Sequence, residues 1–290
     1  MSNRSRVATT AAATLIAAAV PLAPAVLVPA GAQSAACATT AFVAAAGESA
    51  VTTIDAQTRA TSWPGNDIAL PVGSLPNGVA ITPDGTTAFV VLTGTDQVAT
   101  VDVATRAMTG TIDVGNAPQD IAITPDGSTA LVTNRNGSDP IPDPGKTGSV
   151  TTIDVATRTA SPTDIGGLER PAGIAVTADG TTAYVASFGG GHVSTIDLAT
   201  RTVDPDDIPV GDSPFDVERS PDGTQMWVAN LDSGSVSTID VATRTVDPTA
   251  IGTAGGPSGI AFTPCPTPTP SSTTTSTTAP VPAVTPAFTG

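Results

Sequence analysis

Runs in which apolar and polar residues alternate recur along the chain, as in Val236-Ser237-Thr238-Ile239-Asp240. They are rich in β-branched residues, and a period of two marks half-buried strands. A denser apolar run precedes them, such as Ala88-Phe89-Val90-Val91 or Met226-Trp227-Val228. Before that comes a short run of small apolar residues: Val79-Ala80-Ile81, Ile121-Ala122-Ile123, Ile174-Ala175-Val176 and Ile260-Ala261-Phe262. A fourth short strand ends in Val-Gly, at Val114-Gly115 and Val210-Gly211. The pattern predicts units of four short strands, the first packed tightly enough to favour Gly and Ala.

Two turn signals punctuate the units. Pro83-Asp84-Gly85, Pro125-Asp126-Gly127, Ala178-Asp179-Gly180 and Pro221-Asp222-Gly223 separate first from second strands. Proline presets φ, Asp bonds nearby backbone and Gly accepts positive φ. An Asp-x-x-Thr-Arg segment closes each third strand, with Asp at 55, 102, 154, 197 and 240, at intervals of 47, 52, 43 and 43 residues. A period near 43 with four strands per unit is that of a propeller blade. The expected fold is all-β, a five-bladed β-propeller of four-stranded antiparallel blades over residues 37–265. Its ring is closed by a composite blade, because the chain begins with a second strand (Ala41-Phe42-Val43) and ends with a first strand (Ile260-Ala261-Phe262). Aligned on the repeat, Cys37 and Cys265 both fall at the position of Asp84, the broken turn of that blade. A Cys37–Cys265 disulfide is expected to replace the turn.

In this arrangement the loops joining fourth to first strands and second to third strands share one end of the sheets, the channel mouth. The former carry Asn77, Gln119, Asp120, Phe215, Asp216 and Ser258; the latter carry Asn134, Arg135, Phe188, His192, Asn230 and Asp232. These residues vary between repeats while their surroundings stay fixed, so they are the candidate ligand-facing set. The loop 134–148 is about ten residues longer than its counterparts, as long loops over a binding face often are; its Asn136, Asp139 and Asp143 match no established calcium-loop spacing. The five arginines of the Asp-x-x-Thr-Arg segments are expected to pair with carboxylates on the same or the next blade. His192 is the single histidine and both cysteines are assigned, so no catalytic triad, metal centre or cofactor motif is expected.

Residues 1–32 carry Arg4 and Arg6, an apolar Ala-rich run and small residues before Cys37, which reads as a secretory signal. Losing it takes the net charge from −15 to −17. Such a surface repels phosphate backbones and anionic head groups, excluding nucleic acid and membrane insertion after cleavage. Residues 266–290 are Thr/Pro/Ser-rich and read as a disordered tail. The expected product is a secreted or cell-wall-associated monomer.

The recurring Pro-x-Gly-Ile-Ala-x-Thr-Pro-Asp-Gly-x-x-Ala-Tyr-Val-Ala-Asn pattern, followed by Val-Ser-x-Ile-Asp-x-Ala-Thr, resembles the YVTN family of β-propeller repeats. The resemblance covers residues 37–265. It implies secreted or cell-surface proteins, often with seven blades rather than five. Some related propellers are lactonases and others bind nucleic acid. The reading adopted from the sequence is a non-catalytic binding or display module at the cell envelope, whose partner is a protein or glycan. Two alternatives stay open: a lectin-like binder of glycans or small ligands at the mouth, and a lactonase-type hydrolase. Convergence of Asp120 and Asp216 at the mouth on a bound divalent ion would favour the enzyme, and a ring of variable polar side chains without metal would favour binding.

Overall fold

The structure is a computed structural model, and it describes residues 40–45, 47, 49–55, 67–135 and 148–262, all within the compact unit Thr39–Gly290. The signal segment, Cys37, Cys265, the loop residues 136–147 and the 266–290 tail lie outside the described residues. Five antiparallel sheets follow one another along the chain. The first contains β1 (Thr40–Ala45), β2 (Ala50–Asp55) and β3 (Ile68–Ala69), and the second β4 (Pro76–Ile81), β5 (Thr87–Leu92), β6 (Gln97–Asp102) and β7 (Ala107–Asp113). The third contains β8 (Pro118–Ile123), β9 (Thr129–Asn134), β10 (Gly148–Asp154), β11 (Thr159–Ala160) and β12 (Ile165–Leu168). The fourth contains β13 (Pro171–Val176), β14 (Thr182–Ser187), β15 (His192–Asp197), β16 (Thr202–Val203) and β17 (Ile208–Pro209). The fifth contains β18 (Pro214–Arg219), β19 (Gln225–Asn230), β20 (Ser235–Asp240), β21 (Thr245–Val246) and β22 (Ile251–Gly252). Inner strands pack on inner strands in series, β4 on β8, β8 on β13 and β13 on β18, and β1, a second strand, packs on β4.

The architecture is propeller-like, and its departures from expectation have local causes. The outer strand is continuous in the second sheet but split in the third, fourth and fifth. Pro162, Pro205 and Pro248 stand at the breaks, whereas β7 contains no proline; a proline has no N–H to offer the ladder. Strand β18 carries Val217-Glu218-Arg219 where the other inner strands are small and apolar, so apolarity alone does not find it. Among the described residues the first sheet has no inner strand, so the composite blade expected from residues 260–262 is not seen. Residues 259–262 adopt no strand and have no recorded pairing with β1; they lie along the fifth sheet, with Phe262 edge-on to Trp227 at 5.5 Å.

The apolar core consists of layers between neighbouring sheets. Tyr184, Val193, Met226, Val228 and Ile239 fill the layer between the fourth and fifth sheets, and Phe89, Val91, Ile121, Val132 and Ile153 the layer between the second and third. At one end of the strands the turns repeat almost atom for atom. Oδ1 of Asp84, Asp126, Asp179 and Asp222 accepts the hydroxyl of Thr82, Thr124, Thr177 or Ser220 at 2.5–2.6 Å, plus a backbone N–H two residues on. The glycines that follow have φ between 71° and 74°. Asp102, Asp154, Asp197 and Asp240 accept from the Thr three residues on, and the next Arg takes φ of 56–59°.

Those arginines reach backwards, which corrects the sequence expectation. Arg158 Nη1 bonds Thr109 on the preceding sheet, Arg201 bonds Ser161 and the Thr163 carbonyl, and Arg244 bonds Asp204, Thr195 and the Asp206 carbonyl. Only Arg244 meets a carboxylate among these three. The arginines act as fork-shaped donors to hydroxyls and carbonyls between sheets, and they do not converge.

Candidate functional site at the mouth

The opposite end of the strands has a repeated backbone and unrepeated side chains. The residue before each inner-strand proline is left-handed: Leu75, Ala117, Arg170 and Ser213, with φ of 47–52°. For residues with a β-carbon this costs roughly 1–2 kcal/mol each. The conformation is held because each carbonyl accepts the N–H of the residue leaving the second strand: Thr93, Arg135, Phe188 and Leu231, at 3.0–3.2 Å. Just past each proline the ladder slips register, between Pro76 and Val79, Pro118 and Ile121, Pro171 and Ile174, Pro214 and Asp216. Such bulges re-aim side chains.

The second residue after the proline reads Gly78, Asp120, Gly173, Asp216, Gly259 along the chain. The alternation is steric. Asp120 Oδ2 accepts the Ile174 N–H at 3.1 Å from the next sheet, and Asp216 Oδ2 accepts the Ile260 N–H at 2.7 Å. A β-carbon on Gly78 would sit 2.6 Å from Asp120 Oδ1, and one on Gly173 would sit 2.7 Å from Asp216 Cα. Each carboxylate therefore occupies space vacated by a glycine on the preceding sheet and bonds backbone on the following one.

Asn77, Gln119, Asp120, Phe215, Asp216 and Ser258, six of the sequence candidates, line one cavity of about 180 Å³, with Ala172 and Gly173 completing the wall. Burial pushes the Asp120 carboxyl up to about 7, and the charge of Asp216 adds to the rise against the Ile121 N–H. Asp216 is also raised, by burial first, and so is Glu218, by burial and then by Asp216.

The rim adds positive charge. The Arg135 guanidinium lies 4.6 Å and that of Arg170 5.2 Å from the centre of the Phe188 ring, which meets Phe215 edge-on at 6.0 Å. Burial and then Arg170 hold the Arg135 guanidinium below its ordinary pKa. Neither arginine has a carboxylate partner among the described residues. Arg170 was missed from sequence because variation was sought after the proline rather than before it. Other candidates turn inward. Asn134 is fully buried, its Nδ2 donating to Thr151 Oγ1 at 2.8 Å, and Asn230 does the same to Ser237 Oγ at 2.9 Å; both brace strands beneath Gly115 and Gly211. Asp232 accepts the Ser213 hydroxyl at 2.6 Å, and His192 sits 3.4 Å from Asp207. Among the described residues no group of three or more His, Cys, Asp or Glu is arranged to hold a metal ion.

Residues 72–262 match the family described as "Lactonase, 7-bladed beta-propeller". The chain belongs to that family. The matched span takes in the second to fifth sheets and residues 259–262; the described residues of this lactonase-family chain form five sheets, and the family description has seven blades. No curated protein matches the chain significantly. Among solved structures it is similar to a functionally unknown protein from Desulfotomaculum acetoxidans, with 17% identity and a TM-score of 0.63, covering 74% of this chain and 67% of that one. It is also similar to a chain of a Nidogen/Laminin complex, with 14% identity and a TM-score of 0.59, covering 74% and 76%. Both likenesses concern the fold alone.

Proposed function

We propose that this propeller hydrolyses small cyclic esters at the mouth, with Asp120 as the general base. The observation that carries this reading is the convergence of Asp120 and Asp216 in one cavity that holds the Asp120 carboxyl near neutrality. A base whose pKa lies near the working pH combines a usable ionised fraction with proton affinity. Asp120 takes a proton from water as the oxygen adds to the lactone carbonyl. It returns the proton to the ring oxygen as the C–O bond breaks, leaving a hydroxy acid. Arg135 and Arg170 at the rim supply positive charge toward the carboxylate formed. The test is ring opening across a panel of γ- and δ-lactones, followed by acid release. Saturable turnover lost in a folded Asp120→Asn variant supports the reading; wild-type rates no faster than buffer overturn it. Asn77, Gln119 and Ser258 favour a second reading, sugar binding without turnover. Thermal shifts with glycans and no lactone hydrolysis would establish it.

The surroundings belong to the same proposal. Residues 1–32 direct export, and a Cys37–Cys265 disulfide draws residues 259–262 against β1 to complete the first sheet as a blade and close the ring. In the chain-entropy picture a loop of that length stabilises by about 5.5 kcal/mol. A melting temperature unchanged by reduction and alkylation would sink the disulfide.

A further inference from the structure

Away from the mouth, at the end of the strands bearing the repeated turns, a second cavity of about 860 Å³ lies between the fourth and fifth sheets. Four carboxylates line it: Asp179 from the β13–β14 turn, Asp197 ending β15, Asp204 after β16 and Asp240 ending β20. Arg244 is the one cation on the wall, with Nη1 2.6 Å from Asp204 Oδ2. One guanidinium against four carboxylates leaves the walls strongly negative. All four acids are held below their ordinary range: Asp179 by the Thr177 hydroxyl, Asp197 and Asp240 by the N–H of Thr200 and Thr243, Asp204 by the Asp206 N–H. In Asp179, Asp197 and Asp240 only Oδ1 is used, and Oδ2 takes no hydrogen bond from the described residues.

The second observation is Tyr184. It is 1% exposed, its ring packs in the layer between the two sheets, and its remaining surface lines this cavity. No described group hydrogen-bonds its hydroxyl, although buried phenols usually find a partner. At the equivalent positions β5 has Phe89, β9 has Leu131 and β19 has Trp227. At the place of Asp204 the counterparts of Arg244 bond Thr109 and Ser161; only the fifth sheet repeats the carboxylate, as Asp247, outside this groove. The phenol and the extra carboxylate thus occur together in this one groove among those compared.

We propose that this groove binds an organic polycation of the polyamine type. No three of its acids gather closely enough to hold a metal ion, so the negative charge is spread along the walls. Several ammonium groups on one chain match that spread, with methylene segments against Val203 and Val241 between them. One ammonium N–H is donated to the Tyr184 hydroxyl oxygen.

Calorimetric titration of the full chain with spermidine at low salt tests this. One saturable site is expected. Tyr184→Phe should weaken it about 3- to 10-fold, the worth of one hydrogen bond. The melting temperature should stay put, since phenylalanine already fills this place in β5. Asp179→Asn with Asp240→Asn keeps the Oδ1 acceptors of both turns and should weaken binding further while flattening its salt dependence. Absence of saturable heat, equal affinity in Tyr184→Phe, or displacement of spermidine by equimolar magnesium would overturn the proposal.

Discussion

The two ends of the sheets use aspartate in opposite ways. At the turn end, eight carboxylates sit in solvent, each engaged by threonine or serine hydroxyls and N–H groups that hold it ionised. At the mouth, Asp120 and Asp216 are half-buried in the wall of a cavity, and their acidity falls. The turn end is copied from sheet to sheet; the mouth copies only its backbone, through left-handed residues and register slips, and changes what that backbone presents. Repetition serves stability where a turn must form. It serves variety where one backbone shape must aim Asn77, Gln119, Ala172, Phe215 and Ser258 at a common place.

The contrast can be broken in order of expected effect. Asp120→Asn should lower lactone hydrolysis by about 10²–10⁴-fold, the usual worth of a positioned base. The wild-type kcat/KM should rise with pH through about 7. A flat pH–rate profile would remove Asp120 from the chemistry. Next comes stability against pH. The folded pKa of Asp120 is raised, so the folded state binds the extra proton between about 4 and 7, and stability is lost as pH rises through that window. The loss should be about 2–4 kcal/mol and should largely vanish in Asp120→Asn. The turn aspartates have lowered folded pKa values and act with the other sign, their contribution present above the unfolded value near 3.8 and lost as pH falls. Denaturant titrations at pH 3, 5 and 8 separate the two.

A smaller effect is steric. Gly173→Ala forces a β-carbon to 2.7 Å from Asp216 Cα and should cost about 1–3 kcal/mol, whereas Gly166→Ala, facing open space, should change stability by less than about 0.5 kcal/mol. Equal melting temperatures would mean that the inner strands part readily enough to admit the methyl group. Least of all, Arg244→Ala should cost at most about 1 kcal/mol because its ion pair is about one-third exposed, and Arg158→Ala, with one bond to Thr109, less still.

Sheet number and strand order were legible because the turns obey local chemistry that survives translation along the chain. Six mouth residues were legible for a related reason: against a fixed frame, Asn77, Gln119 and Phe215 stand out by differing. What failed depended on through-space facts. Asn134 and Asn230 differ from Leu92 in the same way as true mouth residues, yet their strands turn them under Gly115 and Gly211. Arg170 stands one residue before the expected position, and only the left-handed backbone and the Phe188 ring show that it belongs with Arg135. Val217-Glu218-Arg219 breaks the apolar rule of inner strands, and Glu218 shares the electrostatic neighbourhood of Asp216 and Asp120.

The prolines that split the outer strands carry a consequence for how copies of this chain meet. An exposed strand margin is an invitation to sheet growth between molecules, and natural proteins cut such margins short. Pro162, Pro205 and Pro248 reduce the margins of three sheets to pieces of two to four residues, too brief to template a neighbour. The second sheet has no such guard: β7 runs unbroken for seven residues with Met108 on its surface, softened by one register slip against β6. If copies of this chain stack edge to edge, β7 is where stacking should begin.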